Sequence, residues 1–156
     1  MRITTYRTEM DKDKRPILIK ENACNYTAEN SMNHPEKIVT MVNEVFHLNL
    51  RTEEYLYLIC LDTKCKVLGI MEVSHGTLSM NLCNPREVFL KALCLNTDSI
   101  VLVHNHPSGD VTPSREDFQA KTKISELGEQ LGIPLSDFII VGENGTYYSA
   151  YENNHM

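Results

Sequence analysis

The most constraining feature of the chain is the stretch His104 to Asp117, which reads His-Asn-His-Pro-Ser-Gly-Asp-Val-Thr-Pro-Ser-Arg-Glu-Asp. Before it lies Ser99-Ile100-Val101-Leu102-Val103, short, apolar and β-branched. After it, from Arg115 to about Leu131, the pattern is helical. Strand, loop and helix are thus predicted in that order. Side chains alternate along a strand, so His104 and His106 face one way, with Cα atoms roughly 6.7 Å apart, and Asn105 faces the other. Pro107, Ser108 and Gly109 end the strand, and Pro113 precedes the helix. Ser114 suits the N-cap, and Asp117 falls at N3 in the first turn. A loop of this length can fold the helix start back over the strand end. His104, His106 and Asp117 then form three ligands with a fourth position open to water, the arrangement of a catalytic zinc. A single His-x-His pair is a weak signal, and Ser114 with Asp117 also spells an ordinary helix start. It is the chemistry at both ends of one loop that points to a metal.

Glu72 lies in the otherwise apolar run Val67-Leu68-Gly69-Ile70-Met71-Glu72-Val73. A carboxylate in such a strand needs a partner or a wet cleft, unless it sits on an edge facing solvent. Taken together, Glu72, then His104-x-His106, seven residues, and Ser114-x-x-Asp117 resemble the JAMM signature of the MPN (JAB) metallohydrolases. More closely, the chain resembles the RadC family. The marks are Glu72 before Gly76-Thr77, Pro85-Arg86-Glu87-Val88, His104-Asn105-His106-Pro107-Ser108-Gly109-Asp110, Pro113-Ser114-Arg115-Glu116-Asp117, and Asp137-Phe138-Ile139-Ile140-Val141-Gly142. The resemblance covers about Pro35 to Tyr151. It implies a mixed α/β (α+β) sheet with helices packed on it, the cytidine-deaminase-like MPN/JAB fold. It also implies zinc (Zn2+) on His104, His106 and Asp117, with Glu72 as general base and Ser114 as oxyanion donor. The implied reaction is hydrolysis of a peptide or isopeptide bond in a peptide or protein substrate. Two positions depart from the family pattern: Phe138 and Asn84 stand where such chains usually carry His.

Two other readings stand beside the hydrolase: a zinc-bearing module that binds a peptide without cutting it, and a DNA-repair-associated protein, as the family name suggests. A net charge of −6 and a pI of about 5.5 oppose generic DNA binding. His-x-His also opens amidohydrolase barrels, but 156 residues are too few for that fold.

The length predicts one domain (35–156), preceded by an N-terminal extension (1–34) with a strand near Ile17-Leu18-Ile19, a turn over Asp11–Arg15 and a loop from Asn22 to His34. Longer RadC-like proteins carry a helical DNA-binding-type region before the domain, which residues 1–34 do not resemble. No apolar run approaches the roughly eighteen residues of a membrane span, and the start lacks the apolar core of a signal peptide. Five cysteines at irregular spacing predict a reducing compartment, the cytoplasm. Cys60 and Cys65 flank a hairpin and read as small apolar residues.

Apolar spacing predicts a helix from Pro35 to Phe46, and Asn84 caps another that runs to about Asn96. Tyr55–Leu61 and Val67–Val73 form an antiparallel pair through Asp62–Lys66. Alternation places His75 on the face opposite Glu72. Gly132-Ile133-Pro134 ends the third helix. Phe138–Val141, an Asn144-Gly145 turn and Thr146–Tyr151 form the final hairpin.

Overall fold

The computed structural model describes residues 1–27, 31–76 and 83–156. Thr77 of the family motif and residues 28–30 of the expected loop lie outside the described residues. The strands are β1 (Arg2–Met10), β2 (Pro16–Asn25), β3 (Glu54–Leu61), β4 (Val67–Gly76), β5 (Ser99–Asn105), β6 (Leu135–Val141) and β7 (Tyr147–Ser149). The helices are α1 (Pro35–Phe46), α2 (Pro85–Cys94) and α3 (Arg115–Leu131). The strands form one seven-stranded sheet in the order β2-β1-β4-β3-β5-β6-β7. β1 is parallel to β4 and β5 to β6, and the other neighbours are antiparallel. This is the mixed α/β sheet expected, and it is consistent with a JAB/MPN fold.

Alternation along the central strands builds two cores. Ile59, Val101, Val103 and Ile139 face α1 and pack on Ile38, Met41 and Val42. Leu58, Ile100, Leu102, Phe138 and Ile140 face the other way, onto Val88, Phe89 and Ala92 of α2 and Ile124 of α3. β5 lies third from the β7 edge and is buried along its whole length. Its apolar composition on both faces follows from having helices on both sides.

Each helix has a local reason to start where it does. α1 begins with Pro35 at its first position. The Asn84 side chain accepts a hydrogen bond from Arg86 N at the start of α2. α3 opens with a full capping box and stops at Gly132, whose φ of 69° is the left-handed conformation that glycine adopts without strain. Its buried residues are Asp117, Lys121, Ile124 and Gly128, one stripe at helical spacing.

The N-terminal segment differs from the expectation. β1 is an unforeseen strand, and β2 continues to Asn25, through the start of the expected loop. The two form an antiparallel ribbon at one edge of the sheet, largely outside the core. With so few buried side chains, neither strand shows the alternation by which a half-buried strand is recognised. The turn between them falls at Asp11–Arg15 as expected, with Asp11 Oδ1 accepting from Asp13 N and Arg15 N.

Asp137, buried at the start of β6, fastens the C-terminal hairpin. Its Oδ1 accepts from Phe138 N at 2.8 Å and Tyr151 N at 3.0 Å, and its Oδ2 accepts from Ser149 Oγ at 2.6 Å. Asp137→Ala strands these buried donors. It should lower stability by about 2–4 kcal/mol, and Ser149→Ala by about 1 kcal/mol. The check is urea unfolding, with a lower midpoint and an unchanged slope.

Candidate metal centre

β5 and α3 each bring part of one cluster. On β5, His104 follows Ile100 and Leu102 onto the face that α2 and α3 cover. His106 N donates to Val141 O at 3.0 Å, so pairing with β6 continues one residue past the strand end. From α3, Asp117 enters at the N-terminal end of the buried stripe. His104 Nε2 lies 3.3 Å from Asp117 Oδ1, and His106 Nε2 lies 3.5 Å from Asp117 Oδ2. One ligand atom from each residue lies within 4.8 Å of the others. Four ligands about 2.1 Å from a tetrahedral ion are spaced roughly 3.4 Å from one another. The two imidazole–carboxylate distances, one to each Asp117 oxygen, are of that size.

His104 is 1% exposed, yet neither ring nitrogen has a hydrogen bond. The 3.3 Å approach to Asp117 is close enough for attraction but is not aligned as a hydrogen bond. Buried polar atoms are almost always satisfied, so a ring with two bare nitrogens marks a place for something else. The ring also meets Phe138, centroids 5.3 Å apart, whose side chain carries no conventional acceptor. Burial pushes the His104 pKa down to about 4, against the pull of Asp117, and a neutral imidazole is the form that binds a metal.

His106 is held differently. Its Nδ1–H donates to the Asp110 carbonyl at 2.6 Å, which fixes the tautomer and turns Nε2 toward Asp117. Gly109, at φ 79°, makes the turn that brings this carbonyl to the Nδ1 edge of the ring. The His106 pKa is raised, first by the Asp117 carboxylate and, against burial, by the Asp110 carbonyl and the charge of Glu54. Burial would raise the Asp117 carboxyl, but His106, His104 and Ser114 outweigh it and hold the group at about 2. Asp117 Oδ2 accepts from both Ser114 N and Ser114 Oγ at 2.7 Å, and Asp117 N donates back to Ser114 Oγ at 3.1 Å. Two imidazoles and an oriented carboxylate can hold a metal ion, and the bare His104 nitrogens show that these residues fit one.

Glu72 is not brought to this cluster. It pairs with Tyr57, whose ring belongs to the α1-side core, whereas His104 pairs with Leu56 on the other face. Its Oε1 lies 2.6 Å from His75 Nδ1. Tyr57 is pushed up to about 12, by burial first and then by Glu72. His75 also departs from the expectation, since it shares the face of Glu72 and stacks on Tyr55. The cause is a shift in register: Tyr57 pairs with Glu72 but Leu56 with Ser74, so Val73 is an extra residue that resets the alternation. The carboxylate on the cluster's side is Glu54, in alternation with Leu56 and Leu58. It lines a cleft of about 720 Å³ with His106, Ser108 and Ser114. The expected strand began at Tyr55, one residue too late to show this alternation. Asn105 makes no approach to the cluster; its carboxamide bonds Tyr55 N and Glu53 O instead.

All five cysteines are free, and burial raises the Cys60 thiol to about 11, in keeping with an apolar role. No helix among the described residues is long and apolar enough to cross a membrane.

Comparison with known proteins agrees with the fold. The family model described as RadC-like JAB domain matches residues 32–155. A UPF0758 protein of Clostridium tetani (strain Massachusetts / E88) is 46% identical over 102 residues, covering 65% of this chain and 44% of that protein. A UPF0758 protein of Desulfitobacterium hafniense (strain DSM 10664 / DCB-2) is 41% identical over 113 residues, 72% of this chain and 49% of that protein. Another, from Clostridium perfringens (strain ATCC 13124), is 40% identical over 117 residues, 75% and 51% of the two chains. The chain spans about half the length of these relatives. It belongs to the RadC-like JAB domain family.

An unsatisfied His104 predicts an unusual response to mutation. His104→Leu should leave the metal-free protein as stable or more stable, because it replaces a bare buried ring with an apolar group. In chelator-treated wild type, the unfolded chain takes up a proton near pH 6.5 that the folded ring refuses until about 4. This contribution therefore lowers stability as pH falls from about 6.5 to about 4, and then levels off. Urea midpoints across that range check both points, since the His104 part of the acid loss should vanish in His104→Leu.

Proposed function

We propose that this RadC-like JAB domain is a zinc-dependent metallohydrolase that cuts a peptide or isopeptide bond, with His104, His106 and Asp117 as the zinc ligands. The observation that carries the reading is His104, buried with both nitrogens bare and 3.3 Å from the Asp117 carboxylate. Two nitrogens and one carboxylate oxygen suit zinc, and three protein ligands leave a position for substrate chemistry. Bound there, zinc supplies Lewis acidity and lowers the pKa of a water toward about 7.

The chain's own residues supply the rest. The Asp110 carbonyl keeps the proton of His106 on Nδ1. Ser114 orients Asp117 and, on turning its hydroxyl away from Oδ2, donates to the oxyanion that develops on the amide carbonyl. Glu72 accepts the proton of the attacking water and passes it to the leaving amine. Support for Glu72 comes from its place in the motif, four residues before Gly76. Because Glu72 lies on the α1 face here, this role requires its carboxylate to leave His75 Nδ1 and β4 to change its register on β3 at Val73. The catalytic unit is residues 35–156, with 1–34 as an extension. Five unpaired thiols suit a reducing compartment, the cytoplasm.

The pairing of Glu72 with His75 favours a second reading, a module that holds metal and binds a peptide without cutting it. The DNA-associated reading is opposed by the net charge of −6.

The first test is metal content. Wild type should carry about one zinc per chain. His106→Ala and Asp117→Ala should carry almost none, while Glu72→Gln should keep it. Wild type that takes up no zinc when supplied ends the metal reading. In a screen of peptide and isopeptide substrates, Glu72→Gln should abolish turnover, and Ser114→Ala should slow it by about 10²–10³. Metal without turnover on any substrate leaves the binding module.

A further inference from the structure

The cleft over His106 is acidic on both sides. Glu53 precedes β3 and Glu54 opens it, while Glu116 comes from the first turn of α3. Among the described residues, no Lys or Arg lines it, and neither Glu53 nor Glu116 is paired with one. The acidic lip is fixed in place, because the Asn105 carboxamide accepts from Tyr55 N at 2.8 Å and donates to Glu53 O at 3.0 Å. The same β5 end thus sets the histidines and the carboxylates opposite them. His106, which lines the cleft, meets the ring of His104 edge-on at a centroid distance of 4.9 Å, and the nitrogens of His104 are bare.

Charge arithmetic decides what this cleft accepts. A divalent ion offsets Asp117 and one further carboxylate, and the cleft keeps a net negative charge from the others. Phosphate groups are repelled, whereas ammonium and guanidinium groups are drawn in, most strongly where cleft walls limit screening. Glu116 has a local reason to be acidic, at the positive end of α3. Glu53 lies near enough to His75 for its charge to act on that imidazole, and Glu54 is directed by strand alternation to the side of the cluster.

We propose that the cleft formed by Glu53, Glu54 and Glu116 over His106 selects a peptide segment carrying lysine or arginine side chains. The proposal deepens the hydrolase reading and rests on it for the position of the scissile bond.

The test is fluorescence anisotropy with a labelled Lys-Ala peptide, its Glu-Ala counterpart and a single-stranded DNA oligonucleotide, on the zinc-supplied 156-residue chain. The Lys-Ala peptide should bind about tenfold or more tighter than the Glu-Ala peptide, and more weakly at high salt. Glu53→Gln with Glu116→Gln should weaken it by about tenfold. Glu36→Gln with Glu44→Gln, exposed on α1, changes net charge equally and should leave binding unchanged. Equal binding of the two peptides, tighter binding of DNA, no binding of the Lys-Ala peptide, or equal effects of the two double variants overturns the proposal. Metal content of the same preparations separates the two readings. Zinc present without charge preference defeats this proposal alone, and charge preference without zinc defeats the metallohydrolase alone.

Discussion

The carboxylate of Asp117 is the contact on which the site depends. Its Oδ2 closes the capping box of α3 through Ser114, while its two oxygens lie against the two histidines of β5. One group therefore starts the helix, joins helix to strand and completes the ligand set. Burying a carboxylate is costly unless it is bonded and faces positive charge. Here the adjacent imidazoles, His106 first, and two Ser114 donors hold its pKa down at about 2 despite its burial. His104 remains the unbalanced partner, neutral and without a hydrogen bond. An ion at this point would resolve the deficit, and the stability of the fold and its chemistry meet at the same atoms.

The sheet positions what surrounds this contact. The end of β5 sends His104 and His106 toward α3 and turns the carboxamide of Asn105 to the backbone of β3. That bond extends the β3–β5 pairing beyond its ladder and presents Glu53 and Glu54 at the cleft. One strand further on, the extra residue Val73 in β4 changes which residues share a face. It groups Glu72 and His75 with Tyr55 and Tyr57 on the α1 side. The domain thus separates two acidic elements: a solvent-facing pair on one side of the sheet, and a cleft carboxylate beside the histidines on the other. β5, beside the cleft carboxylate, is buried along its whole length between helices, while β4 beyond the bulge is half-exposed.

Much of this was legible in the residues alone. His104, His106, Ser114 and Asp117 lie within fourteen positions, and their relation depends only on strand alternation, one loop and one helix cap. Local rules of that kind survive folding because each is decided by near neighbours. The helix starts at Pro35, Asn84 and Ser114 were readable for the same reason. The ribbon of β1 and β2 was not, because strands that bury little carry no hydrophobic rhythm. Glu54 escaped notice because its significance lies in which face of a strand it shares, and that strand begins one residue before the apolar run.

The sequence by itself therefore determined the family, the mixed α/β class and the identity of the His-His-Asp set. The tertiary structure decided that Asp117 meets both rings, that His104 is left without a hydrogen bond, and that Glu54 rather than Glu72 shares the histidines' side of the sheet. The difference has a physical origin. Ligand spacing along one strand and one helix turn follows from the backbone periods of those elements. Which strands face each other, and in what register, is set by long-range pairing, where a single inserted residue reverses every side chain beyond it.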